Sequence, residues 1–311
     1  MPKTALNTYK AKDFILHTLF PTNSKKLVIT GATGFIGNHF INDSKEYAIT
    51  PISLRTQRPQ DLTLADYDAV IHFAALVHQM QGAQKEEYLS INRDLTLSFA
   101  QKAKDSGVSH FIFISTIKVY GEETTITPFN ETTACHPLDL YGNSKLAAEE
   151  GLLKLASEDF TVSIIRIPLV YGEGVKANML NLIKLCNSIS FLPFGGINNK
   201  RSILYVKNLT AFIKTLLEQR KFGIFIVSDA TPISTTDLIK TIASALEKKL
   251  FLFPLPLFVI NLLQRIKPSL HQRLFNSLEI NPSESFNKLS FTPPFTTQEG
   301  INAMIKWYNN D

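Results

Sequence analysis

Between Lys26 and Phe40 the chain reads KLVITGATGFIGNHF, with Gly31, Gly34 and Gly37 at intervals of three. Leu27 to Thr30 is a short, branched apolar run closed by glycine, the pattern of a strand buried on both faces, and the residues after it read as a helix. A strand that turns into a helix within so few residues predicts a crossover unit of a parallel sheet. The spacing also says what the turn can hold. A backbone that approaches a pyrophosphate closely carries no side chain at the contact, and a helix start offers N–H groups and a partial positive charge. Gly31 permits the tight turn, Gly34 the approach of phosphate and Gly37 the packing of the helix on the sheet. A dinucleotide site built from Gly31, Thr33, Gly34, Phe35, Ile36 and Gly37 is therefore expected.

Further candidate strands follow at Ile49 to Leu54, Ala69 to Phe73, Phe111 to Ser115, Ser163 to Ile167 and Ile224 to Val227, with helix-like stretches between most of them. The alternation predicts an α/β fold of crossover units on a parallel sheet. Only TQRPQDLTLADYD separates the second strand from the third, so the crossover helix there is expected to be short or missing. From Glu173 the rhythm breaks into PFGGINNKRS and a Pro-rich tail, which predicts a smaller C-terminal lobe. The expected division is an N-terminal extension at 1–24, a dinucleotide-binding domain at 25–172 rejoined by about 203–229, and a substrate lobe at 173–202 and 230–311.

A hydrophobic share of 44% against 19% charged residues excludes a disordered chain, and 311 residues suffice for a large core. The net charge of +5 suits anionic small molecules, but the basic runs of a nucleic-acid binder are missing. Cys135 and Cys186 stand far apart with no thiol or histidine at ligand spacing, which predicts a reducing compartment, hence the cytoplasm, and no metal. LFLFPLPLFVINLL, Leu250 to Leu263, is too short and too proline-rich to cross a bilayer. It reads either as a lobe-packing segment or, with Lys248, Lys249, Arg265 and Lys267 beside it, as a peripheral membrane contact through 250–263.

The end of the second strand bears on the choice of dinucleotide, because a carboxylate there accepts bonds from a ribose hydroxyl whereas arginine pairs with a 2′-phosphate. The sequence is ISLRTQR, with Arg55 at that position, Arg58 behind it and no carboxylate before Asp61. NADP(H) is favoured, with NAD(H) the alternative. Further on, Tyr141 and Lys145 stand four apart in a helix-forming stretch and so share a face. A phenol near its ordinary pKa of about 10 is a poor acid or base at neutral pH unless a cation favours the phenolate, and Lys145 supplies one. Such a pair can protonate a carbonyl oxygen as hydride arrives at its carbon, or run the reverse. Ser115 and Thr116, at the carboxyl end of a buried strand, offer a hydroxyl to hold that oxygen.

Glycine turn, strand-end hydroxyls and Tyr-x-x-x-Lys in this order resemble the extended short-chain dehydrogenase/reductases, the nucleotide-sugar epimerases, dehydratases and 4-keto reductases. The likeness runs from Lys26 to Tyr308 and implies an α/β fold, a Rossmann-like doubly wound parallel sheet with a smaller C-terminal substrate-binding lobe. It implies that Phe73, Ala74 and Ala75 of VIHFAA line the dinucleotide, and that Thr116 is the catalytic hydroxyl with Ser115 beside it at the substrate. It further implies Tyr141 as acid/base, Lys145 as its electrostatic partner and ribose ligand, and Pro168 of RIPLVYGEG beside the nicotinamide. VKANML and NKRSILYV look like nucleoside-diphosphate segments, which points to Asn178 and Arg201, with Arg273 as a second phosphate ligand. AALVHQM, STIKVYGE and LPFGGINNKRS are most like bacterial UDP-4-keto-6-deoxy-sugar 4-reductases of surface-polysaccharide (O-antigen) synthesis, a likeness shared by His78 and Lys118, whose roles the sequence does not give. Departures from the family pattern are Arg55, the abbreviated link after it, and Leu169 where epimerases often have asparagine.

The resemblance thus implies a cytoplasmic, homodimeric reductase in which NAD(P)H gives hydride to C4 of a UDP-linked 4-keto sugar. The alternatives are a UDP-sugar 4-epimerase with retained NAD and a non-catalytic NADP-binding scaffold.

Overall fold

The computed structural model describes residues 24–77 and 84–310; His78 and the N-terminal extension, apart from Ser24, lie outside the described residues. Six parallel strands form the central sheet: β1 (Lys26–Thr30), β2 (Ala48–Ile52), β3 (Ala69–His72), β4 (His110–Thr116), β5 (Thr161–Ile167) and β9 (Gly223–Ile226), in the order β2-β1-β3-β4-β5-β9. Every residue of β3 and β4 is buried, as expected of strands covered by helices on both faces.

On one face lie α1 (Phe35–Asn42) and α6 (Val206–Gln219). Leu209, Phe212, Ile213 and Leu216 of α6 recur at helical spacing and meet Leu27, Ile29, Ile71 and Ile165 of the strands. The other face is covered by α3 (Leu95–Asp105) and α4 (Leu140–Leu155), whose Phe99, Ala103, Ala148 and Leu152 close on Val28, Val70, Phe111 and Val162. The short helix α2 (Lys85–Leu89) runs into α3 through a π-helical turn, Ser90–Asp94.

Between β2 and β3 the crossover helix is absent, as the short link predicts. A single 3₁₀ turn, Pro59–Asp61, stands in its place, and Leu62 and Leu64 plug the core beneath it. β1 has β2 on one side and β3 on the other, and the strand order reverses at that point. In open parallel sheets ligands bind in the crevice at such a reversal.

After β5 the chain leaves the sheet. β6 (Leu169–Tyr171) pairs with β8 (Ile203–Tyr205), and β7 (Phe191–Leu192) with β10 (Phe251–Leu252). With α5 (Ala177–Ser188), α7 (Thr235–Ala245) and α11 (Thr297–Asn310) they enclose a core of their own, centred on Tyr171, Ile183, Tyr205, Ile239, Ile301 and Met304. Two further helices, α8 (Leu257–Ile266) and α9 (Pro268–Phe275), bury no residue at all. The lobe then reaches back: Leu289, from α10 (Ser283–Leu289), and Phe291 pack into the core around α6. Asp229 ties the lobe's strands to α6 and to α11, accepting from the Tyr171 hydroxyl at 2.7 Å, the Tyr205 amide at 3.0 Å, Asn208 Nδ2 at 2.8 Å and the Thr297 hydroxyl at 3.3 Å.

Candidate active site

The glycine turn closes β1 onto α1. Gly31 has φ +71° and lies so near the end of β3 that a Cβ there would stand 2.7 Å from the Ala74 amide nitrogen. A Cβ on Gly37 would collide with the Gly31 carbonyl, and one on Gly34 would stand 3.1 Å from it. Gly34 is the N-cap of α1, and no side chain caps the helix. The first turn of α1 is therefore left without a side-chain cap; Phe73, Ala74 and Ala75, just past β3, are half-open, and Thr33 is exposed beside the turn.

Beyond the end of β2, Arg55 and Arg58 line an open cavity of about 370 Å³ with Leu54, Thr56, Gln57, Pro59 and Gln60, closed from the other side by Leu95 and Ser98 of α3. No carboxylate lines it. Together the uncapped glycine turn and this cationic hollow fit a dinucleotide. Gly31 to Gly37 would hold the pyrophosphate and Arg55 the ribose of the adenosine end.

The join between β1 and β3 is strapped by His72, which the sequence reading did not single out. Its Nδ1 bonds Thr30 Oγ1 at 2.9 Å and its Nε2 bonds Thr96 Oγ1 at 3.0 Å, while Thr30 Oγ1 also accepts from the Ala74 amide. Burial, reinforced by the Lys145 charge, pulls the imidazole down to about 3, so it stays neutral. A second strap is Asn92, on the π-helical turn. It donates to the Leu76 carbonyl and the Ser144 hydroxyl and accepts from the Leu76 amide, tying the loop after β3 to α4. An asparagine in a helical run gives no sequence signal of this.

α4 begins at an Asp139 cap, whose Oδ1 accepts from the Gly142 amide at 2.6 Å. Tyr141 lies in its first turn and Lys145 one turn on, 1% exposed, with Nζ 3.7 Å above the centre of the Phe113 ring. Burial pulls the Lys145 ammonium down to about 7, against the opposing pull of Glu149. It pushes the Tyr141 phenol up, with Asp139 and Tyr88 adding to the rise.

Ser115 and Thr116 point to opposite sides of β4, as alternation requires. The Ser115 hydroxyl is buried and donates to Glu149, which in turn pairs with Arg166, its Oε2 2.6 Å from Arg166 Nη2. The Ser115 proton is thus committed to a buried ion pair whose Glu149 lies on α4, two turns along from Tyr141. Thr116 remains at the strand end. Its Oγ1 accepts from the Lys118 amide at 3.3 Å, and its strand partner is Ile167, directly before the buried Pro168.

Lys118 supplies the connection between these parts. Its ammonium bonds Asp139 at 2.6 Å and Glu122 at 2.8 Å, and its carbonyl lies so close to Gly142 that a Cβ there would stand 2.9 Å away. The start of the Tyr141 helix is thus clamped onto the turn that carries Thr116. Past Glu122 lies Arg201, whose Nη1 donates to the Asn276 carbonyl at 3.0 Å. Burial and the nearby Arg273 lower the Arg201 pKa, and Glu122 raises it. Arg273 is exposed on α9 and Asn178 on the first turn of α5. Among the described residues no cluster of three metal-ligating side chains occurs.

The family model described as the NAD dependent epimerase/dehydratase family matches residues 27–227. The chain belongs to this family. It is 34% identical over 306 residues to a UDP-glucose 4-epimerase of Vibrio cholerae, an alignment covering 89% of this chain and 93% of the relative. It is 25% identical over 317 residues to an N-acetyl-alpha-D-glucosaminyl-diphospho-ditrans,octacis-undecaprenol 4-epimerase of Escherichia coli O157:H7, covering 90% and 94%. The UDP-N-acetylglucosamine 4-epimerase of Methanobrevibacter ruminantium M1, solved with UDP-N-acetylmuramic acid, superposes with a TM-score of 0.77 at 21% identity, over 93% of this chain and 99% of that one. Members of the family are NAD(P)-dependent enzymes acting on nucleotide sugars, and structures of this likeness hold NAD or NADPH. The parallel sheet with helices on both faces is the fold that the sequence pattern predicts.

Proposed function

We propose that the protein is an NADPH-dependent reductase of a UDP-linked 4-keto-6-deoxy sugar, working as a precursor enzyme of surface polysaccharide. The observation that carries this reading is the cationic cavity at the end of β2, where Arg55 and Arg58 stand and no carboxylate does. A 2′-phosphate finds a partner there, and a ribose 2′-hydroxyl finds no acceptor carboxylate. That environment favours a coenzyme that comes and goes over NAD held through the whole cycle.

When bound, the nicotinamide supplies hydride to the C4 carbonyl. The chain's own residues do the remainder. Thr116 donates to the C4 oxygen and orients it; the Tyr141 phenol, kept protonated by burial, passes its proton to that oxygen as the C=O π bond opens. Lys145, one turn along the helix, offsets the charge left on the phenolate. Arg201 and Arg273 hold the diphosphate, with Asn178 on the rim.

A second reading, 4-epimerisation with retained NAD, is favoured by the name of the Vibrio cholerae relative. It uses the same three side chains. Binding measurements with NADPH and NADH, in the wild type and in Arg55→Ala, test the coenzyme: the reductase reading expects tighter NADPH binding that the substitution abolishes, and equal affinities in both proteins would remove its basis.

A further inference from the structure

Helices α8 and α9 form a hairpin that packs mainly on itself and has no buried residue in either arm. Its root is fixed, because the Leu274 carbonyl accepts from Thr235 and Asn199, and the Asn276 carbonyl from Asn199 and Arg201. Its outer surface is apolar: Leu257 is 78% exposed, Phe258 73% and Ile266 65%, with Leu262 exposed between them. Phe258, Leu262 and Ile266 recur every four residues and share one helix face. Phe191 and Phe251, side by side on β7 and β10 with ring centres 5.8 Å apart, are exposed as well.

The charge of the segment is as one-sided as its hydropathy. From Lys248 to Leu278 there is no carboxylate, while Lys248, Lys249, Arg265, Lys267 and Arg273 are all exposed, as many cations as the whole chain's excess of +5. Two copies meeting through this face would set these cations against one another with no carboxylate on the segment to neutralise them. An anionic lipid surface meets both needs, taking the apolar face below the headgroups and the cations among them. The hairpin lies on such a surface and does not span it: α8 is flanked by Pro256 and Pro268, and no described helix is long and apolar enough to cross a membrane.

We propose that the α8–α9 hairpin docks the protein on an anionic membrane surface. Docking of this kind is independent of which reaction the active site performs. It places Arg201, which donates to the Asn276 carbonyl at the hairpin root, near the lipid headgroups.

Flotation of the full chain with phosphatidylcholine vesicles, with and without phosphatidylglycerol, tests it. The wild type floats with the anionic vesicles, weakly with the neutral ones, and less in high salt. Phe258→Ser/Leu262→Ser/Ile266→Ser binds at least about tenfold more weakly, and Lys248→Gln/Lys249→Gln loses about fivefold per cation removed. Both variants melt with the wild type, since every altered side chain is exposed. Wild-type protein left in the soluble fraction with anionic vesicles overturns the proposal, as do variants that float like wild type. So does a wild-type dimer that floats with neither vesicle and that the triple variant splits, which would make the face a contact between copies.

Discussion

Tyr141 and Lys145 depart from their ordinary acidities in opposite directions, and burial is the first cause of both. The phenol holds its proton at neutral pH, as a donor to a carbonyl must, while the ammonium, drawn down to about 7, titrates within the working range. Reduction measured as kcat/KM is therefore expected to fall as pH rises through about 7, because the uncharged amine no longer favours the phenolate. Lys145→Arg, which stays charged, moves that limb upward; a profile identical to wild type would show that Lys145 does not set it. Tyr141→Phe lowers kcat by about 10²–10⁴-fold and leaves NADPH affinity unchanged, to be read by stopped-flow turnover beside equilibrium titration. At this scale the sequence was legible where helical spacing alone pairs two groups, as with Tyr141 and Lys145. The bond from Ser115 to Glu149 was not legible, because Glu149 lies on a helix far along the chain. Lys118 was equally opaque: its partners Asp139 and Glu122 become neighbours only when the strand-end turn meets the start of α4.

Among the elements, the Lys118 clamp and the His72 strap fix how the crevice is assembled. Lys118→Met, by loosening the start of α4 over the Thr116 turn, is expected to lower kcat between about 10- and 100-fold with little change in coenzyme binding. Steady-state kinetics split into kcat and KM check this, and an unchanged kcat would leave the clamp a purely structural feature. His72 and His110 are both pulled down to about 3 by burial, so between that value and about 6.5 the unfolded chain binds protons that the folded one does not. Stability then rises with pH across that window, is full above about 6.5 and is lost as pH falls toward 3. Urea midpoints at neutral pH and at mildly acidic pH measure it, and equal midpoints would contradict the neutral buried state. The glycine turn and the six strands of the sheet could be read from local pattern, since each needs only its own residues. The straps could not, because each bond joins residues of different elements.

For the whole molecule, the missing crossover was foreseeable from the few residues after Arg55. The return of the chain to the sheet at Gly223–Ile226 was visible as an isolated apolar strand. The reach of Leu289 and Phe291 back into the core around α6 was not, since the tail carries no periodicity that says which core it joins. The substrate site proposed above belongs to this scale, because Arg201 and Arg273 come from the lobe and Thr116 and Tyr141 from the sheet side. Arg201→Ala is expected to raise KM for a UDP-sugar at least about tenfold with NADPH affinity intact. The most direct test of the whole account mixes the purified protein with NADPH and a UDP-4-keto-6-deoxy sugar while absorbance and NMR are followed together. A reductase of the kind proposed carries no nicotinamide from purification and oxidises one NADPH for each C4 hydroxyl formed. A protein that retains NAD and interconverts UDP-hexoses at C4 without consuming NADPH would contradict it.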